Sequence, residues 1–393
     1  MENNKIIKYE GGLIKRVGNA ISVANKLLAL ADPELIPYRK KDKWGFCTPD
    51  KKIVIDCVYD DAHTFSGEVA AVKMNKKWGL VNTQGLIIAP FSFEDIYYIE
   101  KVILKACSFS EGLAPVEIDW KWGFIDYTGK IVIQCSFDSA SIFSESLAKV
   151  KMNGKSGFID KTGKIVVSFS FDEAWDFSEG LAVVKMNGKW GFIDKKGRIV
   201  IPCSFENAWD FSEGLAQVEM NRKYGFIDKT GRIVIPCSFD RPTSNFYRSF
   251  YGFSEGLAAV GINGKSGFIN KNGKIVIPCI FDETFMFTEG WAQVEMSGKW
   301  GFIDKTGKIA IPCSFDSSDW GYSYYKSFYG FSEGLAVIGM NKKWGFVNKN
   351  GVIVIPCSFA YAHSFSEGLA QVEVYRNWKY GYINKEGVQY WED

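Results

Sequence analysis

Histidine and cysteine are the residues of this chain best suited to catalysis or metal binding, and neither is arranged for it. The two histidines, His63 and His363, occupy equivalent positions in distant copies of a repeated pattern. A serine or cysteine nucleophile generally needs a histidine base that a third group orients, and zinc needs clustered ligands. Seven of the nine cysteines instead recur singly, in one slot of the repeat: Cys57, Cys135, Cys203, Cys237, Cys279, Cys313 and Cys357. The spacing predicts no catalytic centre, no metal site and no cofactor.

Carboxylates and glycines are abundant, but they also follow the repeat. Pairs such as Asp172-Glu173 and the Ser-Glu-Gly triplet recur in nearly every copy, which predicts turn and capping residues. The glycine-rich turns lie inside predicted hairpins, whereas phosphate-binding loops follow a strand and begin a helix. We therefore expect that the protein is not an enzyme.

The composition indicates which cellular compartment and which kinds of partner to expect. Singly spaced cysteines with apolar neighbours are typical of buried thiols, and free thiols favour a reducing compartment, the cytoplasm. The chain has no run of 18 uncharged apolar residues, so we expect no membrane partner. The formal charge of +2, from 47 basic and 45 acidic residues, argues against nucleic acid.

The elements that would position any site form an internal repeat built around Lys-Trp-Gly-Phe. Of the nine intervals between the core glycines, five are 34 residues long and the others range from 36 to 44. Such a period indicates a repeat architecture. The core glycines are Gly45, Gly79, Gly123, Gly157, Gly191, Gly225, Gly267, Gly301, Gly345 and Gly381.

The pattern inside one unit predicts strands. In Leu181–Met186, every second position is small or apolar in nearly all copies of the unit, whereas the positions between them vary. This period of two is typical of a half-buried strand. Asn187-Gly188 predicts a tight hairpin turn, and Lys189–Asp194 is the second strand. Arg198–Cys203 is a third, apolar strand, and Ser204–Gly214 is a crossover with at most one helical turn. Each unit is predicted to be a three-stranded antiparallel meander.

Ten such units must stack, because a lone small sheet is barely stable. The fold class predicted is all-β: an open solenoid, or superhelix, of about ten meanders with a short N-terminal helix. A closed, propeller-like ring is the alternative. Residues 1–40 form an N-terminal helical segment and residues 41–393 the array.

The N-terminal segment carries apolar residues at helical spacing: Leu13, Val17, Ile21, Ala24 and Leu28. Pro33 would end the helix. The helix is interpreted either as a cap on the first unit or as a docking element for a partner.

Three copies carry insertions of ten, eight and ten residues in the same crossover slot, at Asp95–Ser108, Asp240–Gly252 and Asp316–Gly330. Because the three insertions occupy the same position in the repeat, we expect them to project from the same edge of the array. They are interpreted as a binding surface, or else as braces or products of local duplication. The candidate binding residues are Phe246, Tyr247, Arg248, Tyr251, Tyr322, Tyr324, Tyr325 and Tyr329.

The repeated tryptophan could stack sugars or bases, but it shares its face with the Phe two residues on, which favours packing between units. Ser156 and Ser266 replace it in two copies and leave either a gap or room for a ligand. The ladder consists of Trp44, Trp78, Trp122, Trp190, Trp300 and Trp344, with Tyr224 and Tyr380 in two further copies.

The recurring Lys-Trp-Gly-Phe-Ile-Asp-Lys-x-Gly-Lys-Ile-Val-Ile-Pro, followed by Phe-Ser-Glu-Gly-Leu-Ala, resembles the bacterial WG-repeat (KWG-repeat) family over about residues 42–390. The resemblance implies β-repeat modules with interaction roles and carries no catalytic residues. The function expected is a non-enzymatic scaffold whose partner is another protein. The alternative is a carbohydrate or small-ligand sensor that uses aromatic platforms.

Overall fold

Every element described in this computed structural model is a β-strand. The structure describes residues 35–93, 109–241, 252–316, 330–374 and 379–393, and no helix in these ranges is long and apolar enough to cross a membrane. The strands of the first five units are β1 Ile36–Lys40, β2 Lys43–Cys47, β3 Ile53–Tyr59, β4 Asp61–Ala62, β5 Val69–Met74, β6 Lys77–Asn82, β7 Ile87–Phe93, β8 Ala114–Ile118, β9 Lys121–Ile125, β10 Ile131–Phe137, β11 Ser139–Ser144, β12 Leu147–Met152, β13 Lys155–Ile159, β14 Ile165–Phe171, β15 Glu173–Ala174, β16 Leu181–Met186, β17 Lys189–Asp194 and β18 Ile199–Phe205.

The remaining units continue the same pattern. Their strands are β19 Asn207–Ala208, β20 Ala216–Met220, β21 Lys223–Ile227, β22 Ile233–Phe239, β23 Leu257–Ile262, β24 Lys265–Asn270, β25 Ile275–Phe281, β26 Glu283–Thr284, β27 Trp291–Met296, β28 Lys299–Asp304, β29 Ile309–Asp316, β30 Phe331–Ser332, β31 Leu335–Met340, β32 Lys343–Asn348, β33 Ile353–Phe359, β34 Tyr361–Ala362, β35 Leu369–Val374, β36 Lys379–Asn384 and β37 Trp391–Glu392.

These strands form ten sheets, numbered in chain order. Sheet 1 contains β1–β3 and β37, sheet 2 β4–β7, sheet 3 β8–β10, sheet 4 β11–β14, sheet 5 β15–β18, sheet 6 β19–β22, sheet 7 β23–β25, sheet 8 β26–β29, sheet 9 β30–β33 and sheet 10 β34–β36. Sheet 5 contains the predicted meander, in which β16, β17 and β18 pair antiparallel. The crossover is not a helical turn: Glu173–Ala174 pairs with β16 as a short fourth strand.

A bulge in the third strand explains the glycine of the core motif. The register shifts between the pairs Trp190–Phe205 and Phe192–Ile201, so β18 bends over Gly191. A Cβ on Gly191 would lie 2.6 Å from the Ile201 carbonyl oxygen and 2.7 Å from the Cys203 nitrogen. The core glycine is therefore required by the backbone of its own sheet, not by the next unit.

Neighbouring sheets pack face to face through a repeated apolar interface. The Trp190 and Phe192 face of sheet 5 covers Ala216, Val218 and Ile227 of sheet 6 in one buried cluster. Because the second strand is buried on both faces, each unit needs a neighbour on both sides. This packing confirms that the repeated tryptophans are core residues, and each is between 3% and 7% exposed.

Polar bonds repeat at the same interfaces and fix how one sheet sits on the next. Ser178 Oγ donates to the Phe211 carbonyl oxygen at 2.9 Å. The Glu179 carboxylate accepts from the Gly214 N–H at 3.0 Å and pairs with Lys229 at 3.1 Å. These contacts join sheets 5 and 6, and equivalent ones recur along the chain.

The last strand closes the array into a ring. Gln389 and Tyr390 continue alongside β36, whereas Trp391 and Glu392 pair in parallel with β1. One buried cluster contains Tyr38 and Trp44 of sheet 1, residues of sheet 2, and Tyr382 and Tyr390 from the end of the chain. The predicted open solenoid is therefore wrong, and the protein is a closed ten-bladed β-propeller. The sheets are called blades 1–10 below; the predicted helix falls in residues 1–34, outside the described ranges.

Candidate interaction surface

The insertions of blades 7 and 9 start from one edge of the ring, the edge that carries the first hairpin turn of each blade. In blade 5, Asn187 at this turn donates its N–H to Asp172 at 3.0 Å. Asn263 donates to Asp240 at 3.1 Å in blade 7, and Asn341 donates to Asp316 in blade 9 at 2.6 Å. The described chain breaks off just after these two aspartates.

Most of the predicted binding residues fall in the undescribed segments. The described chain breaks off at Arg241 and Asp316 and resumes at Gly252 and Gly330. Outside the described residues lie Phe246, Tyr247, Arg248, Tyr251, Tyr322, Tyr324, Tyr325 and Tyr329 of the insertions, and Leu13, Val17, Ile21 and Leu28 of the N-terminal segment. Their roles stay predictions.

The strand beside each of these two insertions contains a glycine where other blades have a charged residue. Blade 5 has Lys185 opposite Trp190, with its ammonium 5.3 Å from the centre of the indole ring. Gly261 and Gly339 occupy this slot in blades 7 and 9. A Cβ on Gly261 would lie 2.5 Å from the Arg241 carbonyl oxygen, so the glycine lets the start of the insertion cross the strand. Comparing this slot between the ten units would have revealed the signal in the sequence.

Buried glutamines occupy one slot in three blades, and two of them lie on the blades that precede the inserted blades 7 and 9. Gln217 of blade 6 is fully buried, and neither its amide oxygen nor its amide nitrogen has a hydrogen-bond partner among the described residues. Gln293 of blade 8 is 5% exposed, and Gln371 of blade 10, which precedes blade 1 in the ring, is 6% exposed; the Oε1 of each has no partner in the same ranges. An unpaired buried amide costs free energy. These sites were missed at the sequence level, although the other units have Ala, Val, Pro or Lys in this slot.

A small cavity between blades 8 and 9 contains the second of these glutamines. Its volume is about 10 Å³, and its lining includes Gln293, Trp300, Phe315, Asp316 and Gly339. Trp300 Nε1 is also buried without a hydrogen-bond partner. The cavity therefore offers one donor and one acceptor in a space that suits a single water.

The two serines that replace the repeated tryptophan have different surroundings. Both are buried, Ser156 at 5% and Ser266 at 0% exposed. Ser266 pairs with Gly261, next to the start of the insertion in blade 7. Ser156 pairs with Lys151 in blade 4, which is a regular blade with no insertion. Ser266, but not Ser156, thus lies beside the start of an insertion, and both side chains are buried.

The histidines lie in blades 2 and 10, which the closed ring places on either side of blade 1. His63 stacks on Trp78 with ring centres 4.8 Å apart. His363 contacts Tyr361, and burial lowers its pKa to about 4. In the part of the chain that the structure describes, no three His, Cys, Asp or Glu side chains are grouped to hold a metal.

A buried carboxyl group in blade 6, Asp210, lies near Asp176 of blade 5. Asp176 lies 3.9 Å from the Lys149 ammonium of blade 4. Burial, with a smaller effect of the Asp176 charge, raises the pKa of Asp210 to about 7, and Lys149 opposes this shift. Only these two units have a Trp-Asp pair in the crossover, Trp175-Asp176 and Trp209-Asp210. The geometry supplies a group that titrates near neutral pH, without the base–nucleophile arrangement of a catalytic site.

Ten similar blades in a closed ring define a repeat β-propeller. The family model described as WG containing repeat matches the chain ten times, and the chain belongs to this family. The matches cover residues 44–78, 78–101, 122–155, 157–190, 190–224, 224–265, 267–300, 300–319, 322–344 and 344–378.

Comparison with solved structures shows the fold alone. The chain is similar to the crystal structure of a eukaryotic initiation factor, with a TM-score of 0.50 and 9% identity over 91% of this chain and 95% of that one. Hsv2 of Kluyveromyces lactis aligns with a TM-score of 0.34 and 9% identity over 71% of this chain and 96% of that one. A streptogramin B lyase aligns with a TM-score of 0.31 and 14% identity over 69% and 93%. The last two scores are too low to support an argument. No curated protein sequence matches the chain significantly.

Proposed function

We propose that this protein is a non-enzymatic scaffold that binds another protein through the edge from which the insertions of blades 7 and 9 leave. The observation that carries the proposal is a duplicated glycine: Gly261 and Gly339 occupy one slot, each in a blade that carries an insertion, where the other blades have Lys, Arg or Glu. The two glycines lie two blades apart. A repeated departure from a regular pattern favours function over chance insertion.

The inserted residues suit protein recognition. Tyr247-Arg-Ser-Phe-Tyr-Gly252 and Tyr325-Lys-Ser-Phe-Tyr-Gly330 share five of six residues and differ only in Arg248 against Lys326. Tyrosine and arginine are among the residues that contribute most to protein interfaces. The apolar N-terminal segment, residues 1–34, is a second candidate contact.

Two other functions have less support. A sugar-binding platform requires accessible rings, but the repeated tryptophans are buried between blades. An enzyme requires positioned catalytic groups, and the described carboxylates mainly cap turns or join blades. We also place the protein in a reducing compartment, because burial raises the pKa of the Cys47 thiol to about 12 and the eight described cysteines are unpaired.

Replacing the insertions with a regular crossover tests the proposal. Asp240–Gly252 and Asp316–Gly330 are each exchanged for the Asp172–Asp176 segment of blade 5, and the partner retained by the tagged protein is quantified. We expect capture to fall at least tenfold, on the order of the loss of one interface hot spot, while the melting temperature stays close to that of the parent.

The third insertion provides a matched control. Exchanging residues 94–108 of blade 3 for the same crossover removes a comparable length from the same slot but no Tyr-x-Ser-Phe-Tyr-Gly sequence. A further variant lacks residues 1–32. Capture that survives in the double exchange combined with this truncation would refute the proposal.

A further inference from the structure

The hairpin tip of blade 3 carries a residue that stability does not explain. In blade 5 the tip is Asn187-Gly188, with φ values of 52° and 78°. The second tip residue is also glycine in blades 4, 7 and 8, and it is lysine or arginine in blades 2, 6 and 9. In blade 3 the tip is Asp119-Trp120, with φ values of 52° and 61°. A bulky side chain in the left-handed region is an outlier.

The indole of Trp120 gains little by packing against the described residues. It is 74% exposed, the highest value among the exposed large hydrophobic residues of the described chain. The backbone conformation disfavours tryptophan relative to glycine, and the exposed ring adds the free-energy cost of apolar contact with water. Both effects act against tryptophan at this position, so packing within the described part of the chain does not account for it.

The hairpin holds this ring in a defined position. Glu117 pairs with Trp122 and Ile118 with Lys121, so both strands are paired up to the turn. Lys121 forms an ion pair with Asp138 at 2.7 Å, which ties the base of the turn to the next unit. Trp120 therefore projects from a rigid support, which lowers the entropy that a partner must remove on binding.

We propose that Trp120 is the anchor of a contact with a second protein, different from this chain, whose surface has an apolar pocket with a hydrogen-bond acceptor for the indole N–H. Tryptophan is enriched among interface residues that dominate affinity. Trp120 lies on the same edge of the ring as the insertions of blades 7 and 9, but in blade 3, and its contact rests on the proposed function for the premise that a protein binds at this edge.

The surroundings favour a protein pocket over a lipid surface. The adjacent tips are Asn75-Lys76 in blade 2 and Asn153-Gly154 in blade 4, and neither of these described turns carries an aromatic residue. The lysines of this edge are matched by aspartates, as in Lys43–Asp60, Lys121–Asp138 and Lys155–Asp172. Stable attachment to a bilayer takes more apolar surface or a net basic patch.

Site-specific photocrosslinking tests the anchor. A photoreactive phenylalanine is placed at position 120, and in a matched control at position 188, the glycine of the same turn in blade 5. We expect one discrete protein adduct from position 120 and none from position 188. The adduct is identified and that protein purified, and its affinity is measured for the parent chain and for Trp120→Gly and Trp120→Phe. Trp120→Gly should weaken binding at least tenfold, and Trp120→Phe should weaken it less.

Several outcomes would overturn this inference. They are an adduct with a second copy of this chain, equal adducts from both positions, or sedimentation with phosphatidylcholine–phosphatidylglycerol vesicles that depends on Trp120. A marked fall in melting temperature for Trp120→Gly would show a structural role instead. The variants with exchanged insertions are measured against the same partner, so a loss with Trp120→Gly but not with the exchanges supports this inference and contradicts the proposed function.

Discussion

Arg39 and Asp393 form an ion pair of 2.9 Å that joins the first strand of the chain to its last residue. The Arg39 side chain is 3% exposed and also donates to the Tyr380 carbonyl oxygen of blade 10 at 3.0 Å. Tyr38 of the same strand donates its hydroxyl to Glu392 at 2.7 Å. The ring is thus closed by a small set of contacts that involve the last residues of the chain.

Deleting residues 389–393 should open the ring. The deletion removes the bonds from β1 to β37 and the buried Tyr390 side chain, so we expect a loss of roughly 3–5 kcal/mol from the free energy of unfolding. Denaturant unfolding measures the loss, and small-angle scattering should show a larger radius of gyration. Asp393→Asn is the control, because its half-exposed carboxylate should contribute about 1 kcal/mol or less. A truncated chain with the dimensions of the parent would contradict this account of closure.

Gly191→Val should destabilise blade 5 from within. The new side chain would collide with the bulge of β18 at Ile201 and Cys203. Because backbone atoms must move, we expect a loss of roughly 3 kcal/mol or more. Gly188→Ala at the hairpin tip is the control: nothing lies within 4 Å of its Cβ, so only the positive φ opposes it, at about 1 kcal/mol. Equal melting temperatures for the two variants would contradict the placement of Gly191.

The strands could be predicted from the sequence because local rules determine them. The alternation in Leu181–Met186 and the Asn187-Gly188 turn specify one hairpin, and the structure has that hairpin. Closure could not be predicted, because it depends on the small rotation between neighbouring blades accumulated over ten interfaces. The last five residues match no repeat strand well, and their partner, β1, lies at the far end of the chain.

The candidate site could be predicted from the sequence only in part, for a different reason. In the sequence the inserted segments are obvious, whereas single substitutions within the repeated strands are not. The structure shows that Gly261 adapts its strand to the start of an insertion. Such single substitutions become informative only when the slot they occupy is known to lie beside the insertion.

Gln217→Leu should stabilise the protein. The amide is fully buried and neither of its polar atoms has a partner among the described residues, so leucine removes a desolvation cost of about 1–2 kcal/mol without opening a large cavity. Thermal and denaturant unfolding of the free protein measure the gain. Val183→Leu, in the same slot of blade 5, is the control, since it changes volume but removes no polar group. If Gln217→Leu is less stable than the parent, a buried water satisfies the amide.

The pH dependence of stability should reveal Asp210. Its pKa is about 7 in the folded protein, mainly because of burial, against 3.8 for an ordinary aspartate. At pH values between these two pKa values, Asp210 is protonated in the folded chain and ionised in the unfolded chain. The free energy of unfolding therefore falls as the pH rises from about 4 to 7 and then levels off. Asp210→Asn removes this contribution and should stabilise the protein above pH 7 by roughly 2 kcal/mol, less than the full linkage because the group keeps some contact with water.

At pH 4 the same substitution should have little effect, because Asp210 is then protonated in the folded parent and carries no charge. Asp176→Asn separates the two causes of the shift. It removes the neighbouring charge but leaves Asp210 in place, so the pKa of Asp210 should fall. The free energy of unfolding should then level off at a lower pH than in the parent. Unfolding measured across pH 4–8 for the parent and both variants distinguishes these cases. If the curves of parent and Asp210→Asn run parallel over that range, the carboxyl group at position 210 titrates as it does in water.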